Sequence, residues 1–547
     1  MILLLALTLS LLGAEASPAQ GTRPAFLEPD GVYAELAPER APSGAPDSLG
    51  TLEKMALVAS GVVEPGRIAA YEAKLDALFA ALRDETRQSS GETGRAEYIL
   101  SYLHRNELKA YREDATTVDG ILDSGLYNCV SSAVLYSLVA KSLGIEVLGV
   151  RTSDHAFCSV RIDSQRIDVE TTNPYGFDPG NKKEFKDSFG RATGYAYVAP
   201  GGYGDRRDID TRELIGLILS NRASMLERSG RFAEATKLGA DYAELCPGDE
   251  TKAFLVDRIN NLIASLQQRR DYAGAEEAAL AAAAAFPDEP KLASLGRTAS
   301  YNRAAAAAQA GDFEVAFDRA TSLLEADAKS APAGESSKAD DLALSELARN
   351  ALLGIAEQAA SKGDFEAARL AVAARADRAG RDATEEAYAE IGDMELVRAA
   401  NGMAFAEAQA TADRLLADGE ADPDRYAQAI ATIYGREASR LGKGGDFLGA
   451  AAVADSGEAK IDSAMGDQAA KAAAPRGNLV QIAQAMRHNY AAAVHNRFAT
   501  LYNNGAYTAA ESVLNEALAV LPEDALLKQD LATLEARIND AAKKPRN

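Results

Sequence analysis

From about residue 211 onward one short phrase recurs: a glycine or polar residue, an aromatic, and in most copies two small residues bracketing a variable one. Gly230-Arg231-Phe232-Ala233-Glu234-Ala235 and Gly363-Asp364-Phe365-Glu366-Ala367-Ala368 are full copies. The aromatics are Phe232, Tyr272, Phe313, Phe365, Phe405, Phe447 and Tyr507, at intervals of 40, 41, 52, 40, 42 and 60 residues. A period of this size means that each copy is a supersecondary unit unable to bury its apolar face alone, so the units must stack. Glycine permits a tight turn, the aromatic fills the layer between neighbours, and alanine lets helices approach. The background is Ala-rich and nothing in it reads as a strand, so each unit is expected to be a helix pair. The two long intervals hold Pro/Gly/Ser-rich segments near 330–337 and 472–477, read as loops added to the repeat.

The phrase resembles the G-x-[FY]-x-x-A pattern of tetratricopeptide-like (TPR-like) repeats, in which it marks the turn and the start of the second helix. That resemblance implies an all-α helical-repeat solenoid over 211–547 whose surface holds a protein partner. The plainer alternative is an irregular Ala-rich helical bundle.

With 547 residues the chain exceeds one ordinary core, and two or more domains are expected. A formal net charge of -23 repels phosphate backbones, so nucleic acid is a poor partner. No internal stretch is long and apolar enough to span a bilayer. Three cysteines, an odd number, exclude a disulfide-stapled scaffold and leave at least one thiol free within the monomer.

The run MILLLALTLSLLGA followed by Ala14-Glu15-Ala16 reads as a signal peptide over 1–16, and export to a periplasm or cell surface is expected. Residues 17–50 are rich in Pro, Ala, Gly and acidic residues without a sustained period, and read as an extended linker. A domain over 51–205 follows. Leu75, Leu78, Leu82 and then Ile99, Tyr102, Leu103 recur at helical spacing, whereas 145–150 and 156–162 favour strands. Asp163-Ser164-Gln165 is a hairpin turn into Arg166–Glu170, and Pro200–Asp205 punctuates the end, with nothing after it reading as a strand.

Within this domain, Cys129 opens a helical pattern with Asn128 as its N-cap and Gly144 closing it. Unpaired backbone N–H groups and the positive helix end favour thiolate there. His155 sits between two strands, where sheet-on-helix packing can bring it over that helix start as a base. Asp168 and Glu170 share a strand face, and either can orient the imidazole. Each step away from the hairpin turn moves about 3.3 Å back toward His155, so Glu170 lies roughly 6 to 7 Å nearer than Asp168. Glu170 is favoured and Asp168 stays open. Taken singly, Cys129 and His155 also fit a buried small residue and a hydrogen-bonded core histidine. His104, His488 and His495 show no metal-site spacing, so neither metal nor cofactor is expected.

Asn-Cys-x-Ser at a helix start, Leu-Gly-Ile at its end, His-Ala-Phe-x-x-Val on a strand and Glu170-Thr171-Thr172 together resemble the transglutaminase-like core, a papain-related α+β fold. The resemblance implies that Cys129 attacks a carbonyl or carboxamide, His155 shuttles the proton, and the acid at Glu170 orients the imidazole. The family usually has Asp at the third position and commonly Trp where Phe157 stands, and no upstream Gln supplies an oxyanion donor. That task falls to the Cys129 N–H. The expected function is an exported cysteine hydrolase or acyltransferase acting on peptide, isopeptide or carboxamide bonds of a protein or peptide substrate. Its rival is a non-catalytic interaction scaffold with a degenerate transglutaminase-like domain.

Overall fold

The computed structural model describes residues 24–37, 47–88, 91–180, 182, 185, 205–330, 338–466 and 470–543. The expected signal peptide at 1–16 lies outside the described residues, as do residues 200–204 of the Pro200–Asp205 punctuation and 331–337 of the first inserted segment. The described residues are predominantly helical with a four-stranded sheet and a two-stranded one, and the chain divides into two compact units, Met1–Ser300 and Tyr301–Asn547. No described helix is long and apolar enough to cross a membrane.

The first unit opens with helices α1 (Gly31–Leu36), α2 (Leu49–Ala59), α3 (Pro65–Glu85), α4 (Gly91–Asn106), α5 (Val118–Ser124) and α6 (Cys129–Ser142). A parallel two-residue pair, β1 (Ala110–Tyr111) and β2 (Leu126–Tyr127), sits among them. Strands β3 (Glu146–Arg151), β4 (Ala156–Ile162), β5 (Gln165–Val169) and β6 (Arg207–Ile209) form an antiparallel sheet of order β5-β4-β3-β6. Asp163 and Ser164, at φ 48° and 66°, make the β4–β5 turn left-handed at both central positions, which matches the twist of a two-residue hairpin. Helix α6 is the spine of the core, with every residue from Val130 to Ala140 buried.

Three expectations about the chain's layout are corrected here. The segment read as an extended linker over 17–50 is packed wherever it is described: Leu27 is buried, the Tyr33 hydroxyl donates to the Val58 carbonyl at 2.9 Å, and the Asp30 N–H donates to Asp241 at 2.8 Å. A few apolar anchors, Leu27, Tyr33 and Leu36, suffice to dock a chain whose composition otherwise reads as a tether. A strand does follow Asp205, but β6 has only three residues, too few for alternation to register. The boundary expected at 205–211 is not a boundary of the core either. Helix α7 (Thr211–Arg228) buries Leu214, Ile215, Leu217, Ile218 and Leu219 in the same cluster as α6, and α8 (Phe232–Leu245) adds Tyr242 and Leu245. Gly149 makes room for this, since a Cβ there would lie 2.9 Å from Ile209 and 3.1 Å from Leu214. Helices α9 (Asp249–Gln268), α10 (Tyr272–Ala285) and α11 (Pro290–Gln309) follow.

The second unit contains α12 (Phe313–Ser330), α13 (Lys338–Ala360), α14 (Phe365–Ala373), α15 (Ala376–Ala379), α16 (Arg381–Gly402), α17 (Phe405–Ala417), α18 (Pro423–Lys443), α19 (Phe447–Met465), α20 (Ala473–Asn503), α21 (Tyr507–Val520) and α22 (Ala525–Lys543). Across both units each of the seven phrase aromatics is the first residue of a helix. The turn before it is left-handed at Gly230, Gly311, Gly363, Gly445 and Gly505, and Arg270 takes that conformation before Tyr272. The 472–477 segment, expected as a loop, instead opens the 31-residue α20. Pro475 falls in its first turn, where a missing N–H leaves no helical bond unmade.

Candidate active site

Asn128 caps α6 through its side-chain oxygen, which accepts from the Val130 and Ser131 N–H groups at 2.9 and 3.0 Å, while the Asn128 N–H donates to Ser131 Oγ at 2.9 Å. The Asn128 amide nitrogen also donates to the Glu113 carbonyl at 3.0 Å, so the cap is itself anchored. This arrangement consumes the N–H groups on either side of the first turn but leaves that of Cys129, the first helical residue, without a partner among the described hydrogen bonds. Cys129 is partly exposed; Cys158 and Cys246 are buried, their thiols directed at the Ala133 and Arg212 carbonyls.

His155 closes a tight loop before β4: its N–H donates to Thr152 Oγ1 at 3.1 Å and its carbonyl accepts from the Thr152 N–H at 2.9 Å. That fixes the ring over α6, with Phe157 stacked beside it at 6.0 Å between centroids. Nε2 meets Glu170 Oε2 at 2.7 Å, and the Cys129 side chain hydrogen-bonds the same ring, which leaves Nδ1 for the thiol. Burial alone would lower the His155 pKa. The charge of Glu170, the Cys129 thiol and the hydrogen bond to Glu170 outweigh it and hold the imidazole well above its ordinary value.

Glu170 is almost fully buried. Desolvation raises its pKa, but the facing imidazole and two donors from Thr172 win, and the carboxyl stays below the usual range. Those donors are the Thr172 N–H at 3.1 Å and the Thr172 hydroxyl at 2.6 Å, both on Oε1. Oε1 is thus fixed by its own loop while Oε2 faces the histidine. The loop is held in turn by close backbone approach: the Glu170 N–H donates to the Gly176 carbonyl at 2.8 Å, and a Cβ on Gly176 would lie 1.9 Å from the Glu170 carbonyl oxygen.

Three further contacts tie this loop to the helices. The Thr171 and Ser132 hydroxyls meet at 2.9 Å, the Tyr127 hydroxyl donates to the Thr172 carbonyl at 3.3 Å, and His104 Nε2 meets the Thr171 carbonyl at 3.0 Å. Burial pushes His104 down to about 4, against the opposing pull of that carbonyl and of Glu170, so the ring is neutral and its Nε2–H donates. His104 supports the site from beneath, a role that its sequence spacing gave no means to detect. Among the described residues no group of three or more His, Cys, Asp or Glu side chains could hold a metal ion.

The structure therefore brings Cys129, His155 and Glu170 together and places Asp168 elsewhere. Asp168 pairs across the hairpin with Ser159, and Arg206 grips its carboxylate in a fork at 2.8 and 2.6 Å. Replacing Asp168 by Asn should accordingly leave thiol reactivity within about threefold of wild type, measured by alkylation rate at neutral pH, because only its ties to Arg206 and Arg166, away from Cys129, His155 and Glu170, are weakened. A hundredfold loss would make Asp168 part of the machinery.

A cleft of about 350 Å3 opens over the thiol. Tyr111, Cys129 and His155 line one side, and Leu217, Asn221 and Met225 of α7 line the other. The Asn221 amide is held by a 2.9 Å hydrogen bond to Thr116 Oγ1, and at the rim Arg228 approaches Glu113 at 3.7 Å. Helix α7, expected from sequence to belong to the repeats, is thus a wall of the cleft. Compared with known proteins, the chain matches no protein-family model and none of the curated proteins.

Proposed function

We propose that the chain is a cysteine hydrolase or acyltransferase of papain-like, transglutaminase-type geometry, acting on peptide, isopeptide or carboxamide bonds, with its TPR-like helix pairs engaging a protein partner. The observation that carries this reading is the contiguous chain of contacts from the Cys129 thiol through the His155 ring to Glu170 at 2.7 Å, built at a helix start whose first N–H is open. Glu170 raises the proton affinity of His155, and His155 draws the thiol proton. The sulfur attacks the carbonyl carbon, and negative charge gathers on the carbonyl oxygen within reach of the Cys129 N–H. His155 then hands its proton to the departing nitrogen, leaving a thioester. Water or an amine, relieved of a proton by the same imidazole, attacks the thioester and returns the thiol.

Alkylation by iodoacetamide at neutral pH tests the reading. Cys129 should be modified first, since Cys158 and Cys246 are buried, and His155→Ala should slow that modification by about a hundredfold. Equal, slow labelling in wild type and variant would overturn it.

A further inference from the structure

Phe313, the first residue of α12, is packed closely on its neighbour in the second unit. Phe313 lies flat on α13 at Gly354, where a Cβ would come within 2.5 Å of the ring atoms. One face is thereby pressed on backbone, and the ring forms part of a depression of about 450 Å3. Gln358, Ser361 and Met394 complete its lining together with two carboxylates, Glu357 and Glu390.

Several aromatic rings of this fold are covered by its own cations. Arg398 stands 5.7 Å from the centroid of Phe365, the next copy of the phrase, and is fixed there by a 3.0 Å hydrogen bond to the Gly363 carbonyl. Arg378 stands 5.8 Å from Phe317, and Arg258 4.5 Å from Phe254. Among the described residues no cation stands over Phe313 and no basic side chain is paired with Glu357 or Glu390. Neighbouring carboxylates are committed: Glu386 to Arg349, Glu314 to Arg375, and Asp318 to Arg378.

We propose that the Phe313 depression is a binding site for an arginine or lysine side chain of a polypeptide partner. An aromatic face attracts a cation within about 6 Å of its centroid, and two flanking carboxylates supply the counter-charge. The space admits one long side chain, Met394 offers an apolar edge for its methylenes, and Gln358 and Ser361 offer neutral hydrogen-bonding groups. A chain of net charge -23 draws such partners toward its surface.

The test uses the full chain and a fluorescent Gly-Arg-Gly-Arg-Gly peptide, with citrulline in place of arginine as the neutral counterpart, read by anisotropy. The arginine peptide should bind and the citrulline peptide should not. The double variant Glu357→Gln/Glu390→Gln should weaken binding at least about tenfold, and Phe313→Leu about fivefold. A second double variant, Glu511→Gln/Glu516→Gln, removes the same charge from exposed sites elsewhere and should bind as wild type does. Circular dichroism checks that each variant keeps its helices. Equal weakening by the two double variants would reduce the attraction to overall charge and overturn the site, as would equal binding of the citrulline peptide or no binding of either.

Discussion

Glu170→Gln should slow alkylation of Cys129 at pH 7 by about a hundredfold or more, although the substitution changes almost no volume. The reason lies in which atoms already have partners. Thr172 donates twice to Oε1, so a glutamine there keeps its carbonyl oxygen toward Thr172 and turns its NH2 toward His155. An N–H donor facing Nε2 forces the imidazole proton onto Nδ1, the nitrogen that must accept from the thiol. The base is then present but in the wrong tautomer, and its burial is no longer opposed by a facing charge. Raising the pH, where hydroxide removes the thiol proton without the imidazole, should bring variant and wild type together. A variant that matched wild type at pH 7 would show that Glu170 orients nothing.

The second large effect is a dependence of stability on pH carried by His104. Its imidazole titrates near 4 in the fold, against about 6.5 in an unfolded chain. A histidine whose folded pKa is depressed contributes stability above its unfolded value. As the pH falls below about 6.5 the unfolded chain takes up a proton that the folded one refuses, and stability drains away until the folded value near 4 is passed. The full gap corresponds to about 3 kcal/mol. His104→Gln keeps a donor for the Thr171 carbonyl but cannot titrate, so its loss between pH 7 and pH 4 should be smaller than that of wild type by up to this amount. Urea unfolding, followed through exposure of the buried Cys158 thiol to a disulfide-exchange reagent that works in acid, reports on this unit. Identical acid losses in the two proteins would contradict the assignment.

The parts of the site that a sequence reader can reach are those governed by short-range rules. Asn128 and Gly144 bracket α6 because capping needs only neighbours, and the two-residue turn at Asp163–Ser164 sets the register that carries Glu170 past Asp168 toward His155. The phrase aromatics mark helix starts for the same reason: the turn before each is local. What stays hidden depends on contacts between distant residues. Nothing near His104 announces the Thr171 carbonyl, and nothing near Asn221 announces Thr116. The packed segment around Tyr33 is a similar case, since composition averages over a window in which a few anchors decide the outcome. The departure at 205–211 follows from treating a loop as a border, when the helix after it still shares the core of the helix that carries Cys129.

That shared core also sets a schedule for biosynthesis. The cluster around α6 extends from Tyr33 to Cys246, and ties such as Arg212 to Asp47 close it across much of the unit. At the usual ~5–20 residues per second of translation, about ten seconds separate the emergence of Cys129 from that of the last helix packed on its domain. Between the emergence of Glu170 and that of α7, a nascent chain holds thiol, imidazole and carboxylate but lacks the wall that encloses them. Assembly of the cleft is therefore timed by connectivity, and a ribosome-bound polypeptide cannot present the finished groove before α7 has been made.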